Sequence, residues 1–143
     1  MREYDKEKKY YMNYPIIKDK WEFLFESLSD IELEELVGLY LQVEKNYGIY
    51  TSTNKKDTKS YEFVLFNKEN GERAYLQVKE HDINIESLYK LGSLGKVYIF
   101  SNNDTEYNDK RVIRITKKDL MKFIRKKIYI MPDKIKILFG ENM

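Results

Sequence analysis

Three polar residues in the middle of the chain are of types that assist phosphodiester hydrolysis with a metal ion. Glu62 offers a carboxylate oxygen, Gln77 an amide oxygen and Lys79 an ammonium group. A hard cation such as Mg²⁺ prefers oxygen ligands and keeps several of its waters, and the backbone carbonyl of Val78 is a further candidate ligand. A lysine beside such an ion can orient the attacking water or stabilise the charge that develops on the phosphate. These residues therefore predict a Mg²⁺ (or Mn²⁺) site with a lysine next to it.

A β-hairpin is the element that would bring these side chains together. Two alternating runs flank Asn70-Gly71, a dipeptide typical of two-residue hairpin turns. Antiparallel pairing about that turn places Glu62 opposite Lys79 and Val64 opposite Gln77. Because side chains alternate faces along a strand, Glu62, Gln77 and Lys79 would share one face. We expect the other face to be core, made of Phe63, Leu65, Ala74, Leu76 and Val78.

A second carboxylate from a neighbouring helix would complete such a site. Ser29 and Glu32 have the spacing of a capping box, and the apolar residues that follow recur at helical spacing, which predicts a helix over 30–46. On this helix Glu34 lies at the edge of the apolar face, whereas Glu35 points nearly opposite that face. Glu34 is therefore the preferred helix acid, with Glu35 as the alternative.

The remaining pattern predicts a mixed α/β sheet with helices packed on it. Residues 1–20 are interpreted as an N-terminal arm or short helix, and residues 21–143 as a single domain. Gly48 is interpreted as the stop of the helix over 30–46. The other predicted elements are an apolar helix over 21–28, strands over 48–53, 61–66, 73–79, 96–101 and 111–116, helices over 85–91 and 117–127, a Thr116 cap, and a final strand or helix over 135–139.

Composition excludes several classes of protein. The 143 residues fit one domain. The absence of cysteine excludes disulfides and thiolate metal sites, and the single histidine, His81, disfavours a histidine-rich site or a catalytic triad. No segment reaches the roughly 18 apolar residues of a membrane span. The first ten residues lack the apolar run of a signal peptide, so we expect a cytoplasmic protein.

The pieces of the predicted site resemble a known nuclease superfamily. They are Leu33-Glu34-Glu35-Leu36-Val37 on the helix, Tyr61-Glu62-Phe63 on the first hairpin strand and Gln77-Val78-Lys79 on the second. This order resembles the PD-(D/E)XK, or restriction-endonuclease-like, superfamily. Glu62 stands where aspartate is usual, and Gln77 stands where an acid is usual. The Gln-x-Lys form, within Tyr75-Leu76-Gln77-Val78-Lys79, is similar to the Mrr-like branch.

The resemblance implies a restriction-endonuclease-like mixed β-sheet flanked by helices. It also implies a Mg²⁺-dependent DNA endonuclease of the restriction or DNA-processing type. Glu34, Glu62 and Gln77 would hold the metal, and Lys79 would position the water. A homodimer or a partner subunit is a further implication of the resemblance, since many members of the superfamily cut both strands as dimers.

Simpler interpretations stay open beside the nuclease hypothesis. Glu62 and Lys79 can form an ordinary cross-strand ion pair, which contributes roughly 0.2–1 kcal/mol. The six bases among residues 117–127 suit a DNA backbone or a solvated helix face. His81 and Asp57 are most simply a solvated strand end and a turn residue. The whole chain can be a catalytically silent copy of the fold that acts as a binding or regulatory module. It can also be an unrelated protein-interaction domain, as the net charge of only +2 allows.

Overall fold

The computed structural model describes residues 19–52, 63–79, 85–101 and 106–139, with only the backbone for Thr51, Ser52 and Lys79. Residues 1–18 of the predicted arm (1–20) lie outside these ranges, as do Asp57, Glu62 and His81. Within them, no helix is long and apolar enough to cross a membrane. The elements are α1 (Lys20–Ser27), α2 (Asp30–Glu44), β1 (Tyr47–Ser52), β2 (Phe63–Asn67), β3 (Arg73–Lys79), α3 (Ile85–Gly92), β4 (Lys96–Ser101), β5 (Val112–Ile115), α4 (Lys117–Lys126), a 3₁₀ turn (Ile128–Ile130) and α5 (Asp133–Phe139).

The five strands form one mixed sheet in the order β1-β2-β3-β4-β5. The first three strands pair antiparallel, whereas β3, β4 and β5 pair parallel. Helices lie on both faces of this sheet, so the predicted α/β class with a mixed sheet flanked by helices is confirmed. The last segment, left open as a strand or a helix, is the helix α5.

One face of the sheet packs against α1, α2, α4 and α5. The apolar side chains of these helices meet the alternate residues of the strands in a single buried cluster. Trp21 of α1 stacks on Phe139 of α5 with ring centroids 4.3 Å apart, which ties the first described helix to the last. The residues predicted to form the core face of the hairpin all belong to this cluster, which confirms that prediction: Phe63, Leu65, Ala74, Leu76 and Val78.

The opposite face of the sheet carries a second, smaller core under α3. Leu88 and Leu91 of α3 pack on it, and Tyr107 from the segment before β5 packs at its margin. Its strand residues alternate with those of the first core: Val64, Tyr75, Val97, Ile99 and Val112. The hairpin face on which Gln77 lies is therefore covered by a helix over part of its length.

The hairpin register differs from the predicted one. Val64 pairs with Tyr75 rather than with Gln77, so the predicted pairing of Val64 was wrong by two residues. The predicted pairing of Glu62 with Lys79 lies outside the described residues. The cause is the Asn67 side chain, whose Oδ1 accepts hydrogen bonds from the backbone N–H groups of Glu69 (2.8 Å) and Asn70 (3.3 Å). These bonds build a loop longer than the predicted two-residue turn. A shift of two residues keeps every side chain on its predicted face, because side chains alternate with period two.

The capping box predicted for α2 is present, but the predicted helix stop was wrong. The Ser29 hydroxyl accepts a hydrogen bond from the N–H of Glu32, whose carboxylate accepts one from the N–H of Ser29. After α2, the left-handed residue is Asn46, with φ 60°, and Gly48 already lies inside β1. Asparagine tolerates this conformation better than most residues, since its short polar side chain bonds locally. Gly48 instead leaves room for the ring of Phe66 across the strand pair.

Candidate functional site

The parallel pairing of β3 with β4 determines the surroundings of the predicted tripeptide. Gln77 is the register partner of Ile99, and Lys79 is the partner of Ser101. In the next strand pair, Ile99 is opposite Arg114. Gln77, Ile99 and Arg114 therefore form one row across three strands, about 4.8 Å apart from strand to strand. All three lie on the α3 face, together with Ser101 and the position of Lys79.

This row lies toward the carboxyl ends of the parallel strands. The chain leaves β3 toward α3 on one face of the sheet, and it leaves β5 toward α4 on the other. In open α/β sheets, ligands bind in a crevice outside the carboxyl ends of the strands. The predicted Gln77-x-Lys79 motif thus ends at the sheet edge where a ligand is expected.

Gln77 is a buried residue rather than an exposed one. Its side chain is 4 % exposed although it is polar. Its backbone neighbours Leu76 and Val78 point into the first core, so the alternation carries Gln77 to the second face. A buried amide is held in one orientation by its surroundings, since buried polar groups are hydrogen-bonded almost without exception. Such an amide can present its oxygen in a fixed direction.

Glu34 is more buried than Glu35, as the helical spacing indicated. Glu34 is 5 % exposed, whereas Glu35 is exposed. Glu34 belongs to α2, however, and α2 packs on the face of the sheet opposite Gln77. The structure does not bring Glu34 to the α3 face. A ligand shared by Glu34 and Gln77 would have to lie at the strand ends, where both faces can be reached.

A metal centre is not assembled within the described ranges. No group of three or more His, Cys, Asp or Glu side chains in residues 19–52, 63–79, 85–101 and 106–139 is arranged to hold a metal ion. Gln77 contributes one neutral oxygen, and the carboxylate predicted beside it belongs to Glu62, outside these ranges. Of the predicted side-chain ligands, Gln77 is the one that the structure describes on this face, and it does not form a complete site by itself.

The bases that crowd α4 are partly used in packing. The ammonium of Lys117 lies 5.4 Å from the Phe25 ring centroid, and the guanidinium of Arg125 lies 5.1 Å from that of Trp21. Lys126 pairs with Glu44 at 3.7 Å. Such contacts are typical of lysine and arginine stems that cover apolar surface. The first turn of α4 begins directly after β5, so its bases lie at the same sheet edge as the crevice.

Three further polar residues at this edge were missed by the sequence analysis. They are Ser101 at the end of β4, Arg114 inside β5 and Tyr107 in the segment before β5. Ser101 is 4 % exposed, and Arg114 and Tyr107 are half-buried. Burial raises the pKa of the Tyr107 hydroxyl, while Ser101 and Arg114 act in the opposite direction and favour its ionised form. The signal that could have revealed Arg114 was an arginine within the apolar strand Val112–Ile115.

Comparisons with known proteins add no relative to this picture. The chain matches no family model, and no curated protein or solved structure resembles it significantly. The function of the edge is therefore inferred from its geometry and chemistry.

Proposed function

We propose that this chain is a metal-dependent DNA endonuclease that hydrolyses phosphodiester bonds at the carboxyl edge of β3 and β4. The proposal includes a cytoplasmic location, which a chain without cysteine allows. It also includes action as a homodimer or with a partner subunit, because a nuclease that cuts both strands needs two sites.

One observation carries the proposal. Gln77 and the backbone of Lys79 follow each other on one face of β3, at the carboxyl ends of parallel strands. The resemblance to PD-(D/E)XK nucleases implies this arrangement for the tripeptide Gln77-Val78-Lys79. The neighbouring positions on that face, Ser101 and Arg114, are polar or basic as well. A nucleic-acid phosphate approaching this edge would meet donors and positive charge rather than apolar surface.

Each residue of the motif has a distinct role in the proposal. Glu62 and Gln77 would hold Mg²⁺ or Mn²⁺, with the Val78 carbonyl and Glu34 as further ligands. A bound ion would supply polarisation of the phosphoryl group. Lys79 orients the attacking water and stabilises the charge that develops on the phosphate.

The experiment is a cleavage assay with the full chain. Supercoiled plasmid is incubated with the protein and Mg²⁺ or Mn²⁺, beside Lys79→Ala and Glu62→Gln. We expect cleavage by the natural sequence, no cleavage in EDTA, and at least about a hundredfold loss of rate in Lys79→Ala, because a preorganised electrostatic contact of this kind contributes that much.

Lys68→Ala is the matched control, since Lys68 is an exposed lysine in the loop of the same hairpin. It should cleave at the rate of the natural sequence. Cleavage by Lys79→Ala at an unchanged rate would contradict the proposed role of the motif.

A second candidate function is a catalytically silent nuclease-like module that binds nucleic acid. Two observations favour it: the neutral amide at Gln77, and the lack of an acidic metal cluster within the described parts of the chain. A protein of this kind binds duplex DNA but leaves plasmid intact with either metal. The same assay, with a binding measurement beside it, therefore separates the two candidates.

A further inference from the structure

We propose that Arg114, with the hydroxyls of Ser101 and Tyr107 beside it, forms a phosphate-binding subsite next to Gln77 on the α3 face. The inference rests on the proposed function, because it assigns the nucleic-acid backbone as the ligand of the same sheet edge. It goes beyond the motif, since none of the three residues belongs to it.

The strand register carries Arg114 to this place. Arg114 is opposite Ile99, which is itself opposite Gln77. Two strand spacings separate the Cα atoms of Gln77 and Arg114, which is about 10 Å. Ile99 lies between them and is fully buried. The Arg114 and Gln77 side chains therefore flank Ile99 on the same face of the sheet.

Ser101 lies two residues beyond Ile99 on β4, toward the carboxyl ends of the strands, and the Tyr107 hydroxyl lies near it. Ser101 is buried and ends β4, and the Tyr107 hydroxyl is enclosed. The Tyr107 hydroxyl lies near Ser101 and Arg114, and both oppose the rise in its pKa that burial causes. All three polar groups are thus close together. Hydroxyl donors beside a guanidinium form a set that suits the non-bridging oxygens of a phosphate.

The segment that carries Tyr107 is attached to the rest of the fold. The backbone N–H of Asn108 donates to the Tyr89 hydroxyl of α3 at 3.2 Å. Tyr89 and Tyr107 both pack against the second core. This anchoring holds the Tyr107 hydroxyl over the strand ends, so the subsite is preorganised.

Arg111, close to Arg114 in sequence, has a different environment. Its Nη2 atom lies 3.1 Å from Oδ2 of Asp109, and its Nε atom donates to Oδ1 of the same carboxylate at 3.2 Å. This local pair neutralises Arg111 at the surface. Arg114 instead lies half-buried on the α3 face, in the row of Gln77 and Ile99.

The experiment measures binding separately from cleavage. A fluorescein-labelled DNA duplex is titrated with the full chain in EDTA, and anisotropy is followed at several salt concentrations. The variants are Arg114→Met, Arg114→Lys and Tyr107→Phe, with Arg111→Met as the matched control. Thermal unfolding of each variant is recorded in parallel.

We expect Arg114→Met to weaken duplex binding about tenfold or more, as the loss of one charge-assisted contact does. The slope of log affinity against log salt should fall by about one, because one phosphate contact is lost. Arg114→Lys should retain that slope, and Tyr107→Phe should weaken binding by a smaller factor. Arg111→Met should leave affinity within about twofold.

Several outcomes would overturn the subsite. One is a folded Arg114→Met variant with the affinity and salt slope of the natural sequence. Another is an equal effect of Arg111→Met. If Arg114→Met does not fold, the test uses Arg114→Lys and Tyr107→Phe instead. The proposal is contradicted if Arg114→Lys abolishes duplex binding, or if Tyr107→Phe binds the duplex as tightly as the natural sequence does. Inorganic phosphate is the second probe, and an Arg114-dependent thermal shift with phosphate but no duplex binding would reassign the ligand and overturn the backbone assignment.

Failure of the subsite is distinguishable from failure of the proposed nuclease activity. Arg114-dependent duplex binding without any cleavage refutes hydrolysis and leaves the subsite. Cleavage that depends on Lys79 but not on Arg114 refutes the subsite and leaves the hydrolysis.

Discussion

At the scale of single residues, Gln77 is the predicted metal ligand whose side chain the structure describes on the α3 face. An acidic residue at this position would offer a cation a negatively charged carboxylate oxygen. Glutamine offers an amide oxygen instead, which carries no net charge. The position is 4 % exposed. Desolvation there penalises a carboxylate far more than an amide. The glutamine is therefore compatible with a stable apo protein, and it makes any cation at this edge depend on other oxygens.

Gln77→Glu tests whether a cation binds at this position. The buried carboxylate should lower the free energy of unfolding by roughly 1–3 kcal/mol without divalent metal. Mn²⁺ or Mg²⁺ should restore part of this loss, because a ligand that binds only the folded state stabilises it. The measurement is the thermal midpoint with and without each metal, beside the natural sequence.

Gln42→Glu serves as the control for that variant. Gln42 is a half-buried glutamine on α2 whose Nε2 donates to the Gly38 carbonyl, far along the chain from the motif. Divalent metal should leave its thermal midpoint unchanged. If metal shifts both variants equally, Gln77 is not a cation ligand.

At the scale of elements, the pairing of β3 with β4 places Gln77 beside Ile99 and the position of Lys79 beside Ser101. The two strands approach each other closely where this pairing begins, and that approach depends on Gly95, just before β4. A Cβ atom at Gly95 would lie 2.6 Å from the backbone carbonyl oxygen of Arg73, the first residue of β3. A backbone atom cannot rotate away as a side chain can. Residue 95 must therefore be glycine if β4 is to approach β3 in this register.

Gly95→Ala should lower the free energy of unfolding by about 1–3 kcal/mol, through overpacking against the strand. Urea denaturation followed by far-UV circular dichroism measures this loss. Gly71→Asn is the comparison, because a Cβ atom at Gly71 would have no neighbouring atom within 4 Å, and asparagine tolerates the φ of 76° found there. A loss in Gly71→Asn as large as in Gly95→Ala would argue against the close approach.

At the scale of the whole molecule, one sheet separates two apolar cores of unequal size. The larger lies under four helices, and the smaller lies under α3 alone. Strands β2 to β5 belong to both cores, since their residues point alternately to one core and to the other. We expect the two cores to unfold together, as small single domains usually do.

Leu88→Ala tests this coupling. Leu88 is fully buried in the smaller core, and its truncation should lower the free energy of unfolding by about 2–5 kcal/mol. The single tryptophan, Trp21, reports from the other side of the sheet. Its fluorescence and the far-UV circular dichroism should shift to the same new midpoint in urea.

Leu94→Ala is the control, because Leu94 is 68 % exposed in the turn after α3. It should shift neither signal appreciably. Circular dichroism that shifts in Leu88→Ala while the fluorescence midpoint stays would mean that the α3 layer unfolds separately.

The elements and their faces were accessible from sequence because their signals are local. Helical spacing and a capping box identified α2, and a Thr116 cap identified α4, with the Thr116 hydroxyl accepting from the N–H of Asp119. Alternation assigned the hairpin residues to two faces correctly even though the register was wrong, because a two-residue shift preserves the faces. The register itself depended on Asn67, whose side chain competes with the two-residue turn.

By itself, the sequence determined the α/β class, the order of the elements and the common face of Gln77 and Lys79. Only the tertiary structure decided which strands run parallel, that α3 covers the Gln77 face, and that α2 with Glu34 covers the other. It also brought Arg114 into the row of Gln77, across a large separation in sequence. The physical reason is that periodicity and caps act between near neighbours along the chain. The choice of a face and of a strand partner depends on packing between distant segments, for which no local pattern carries information.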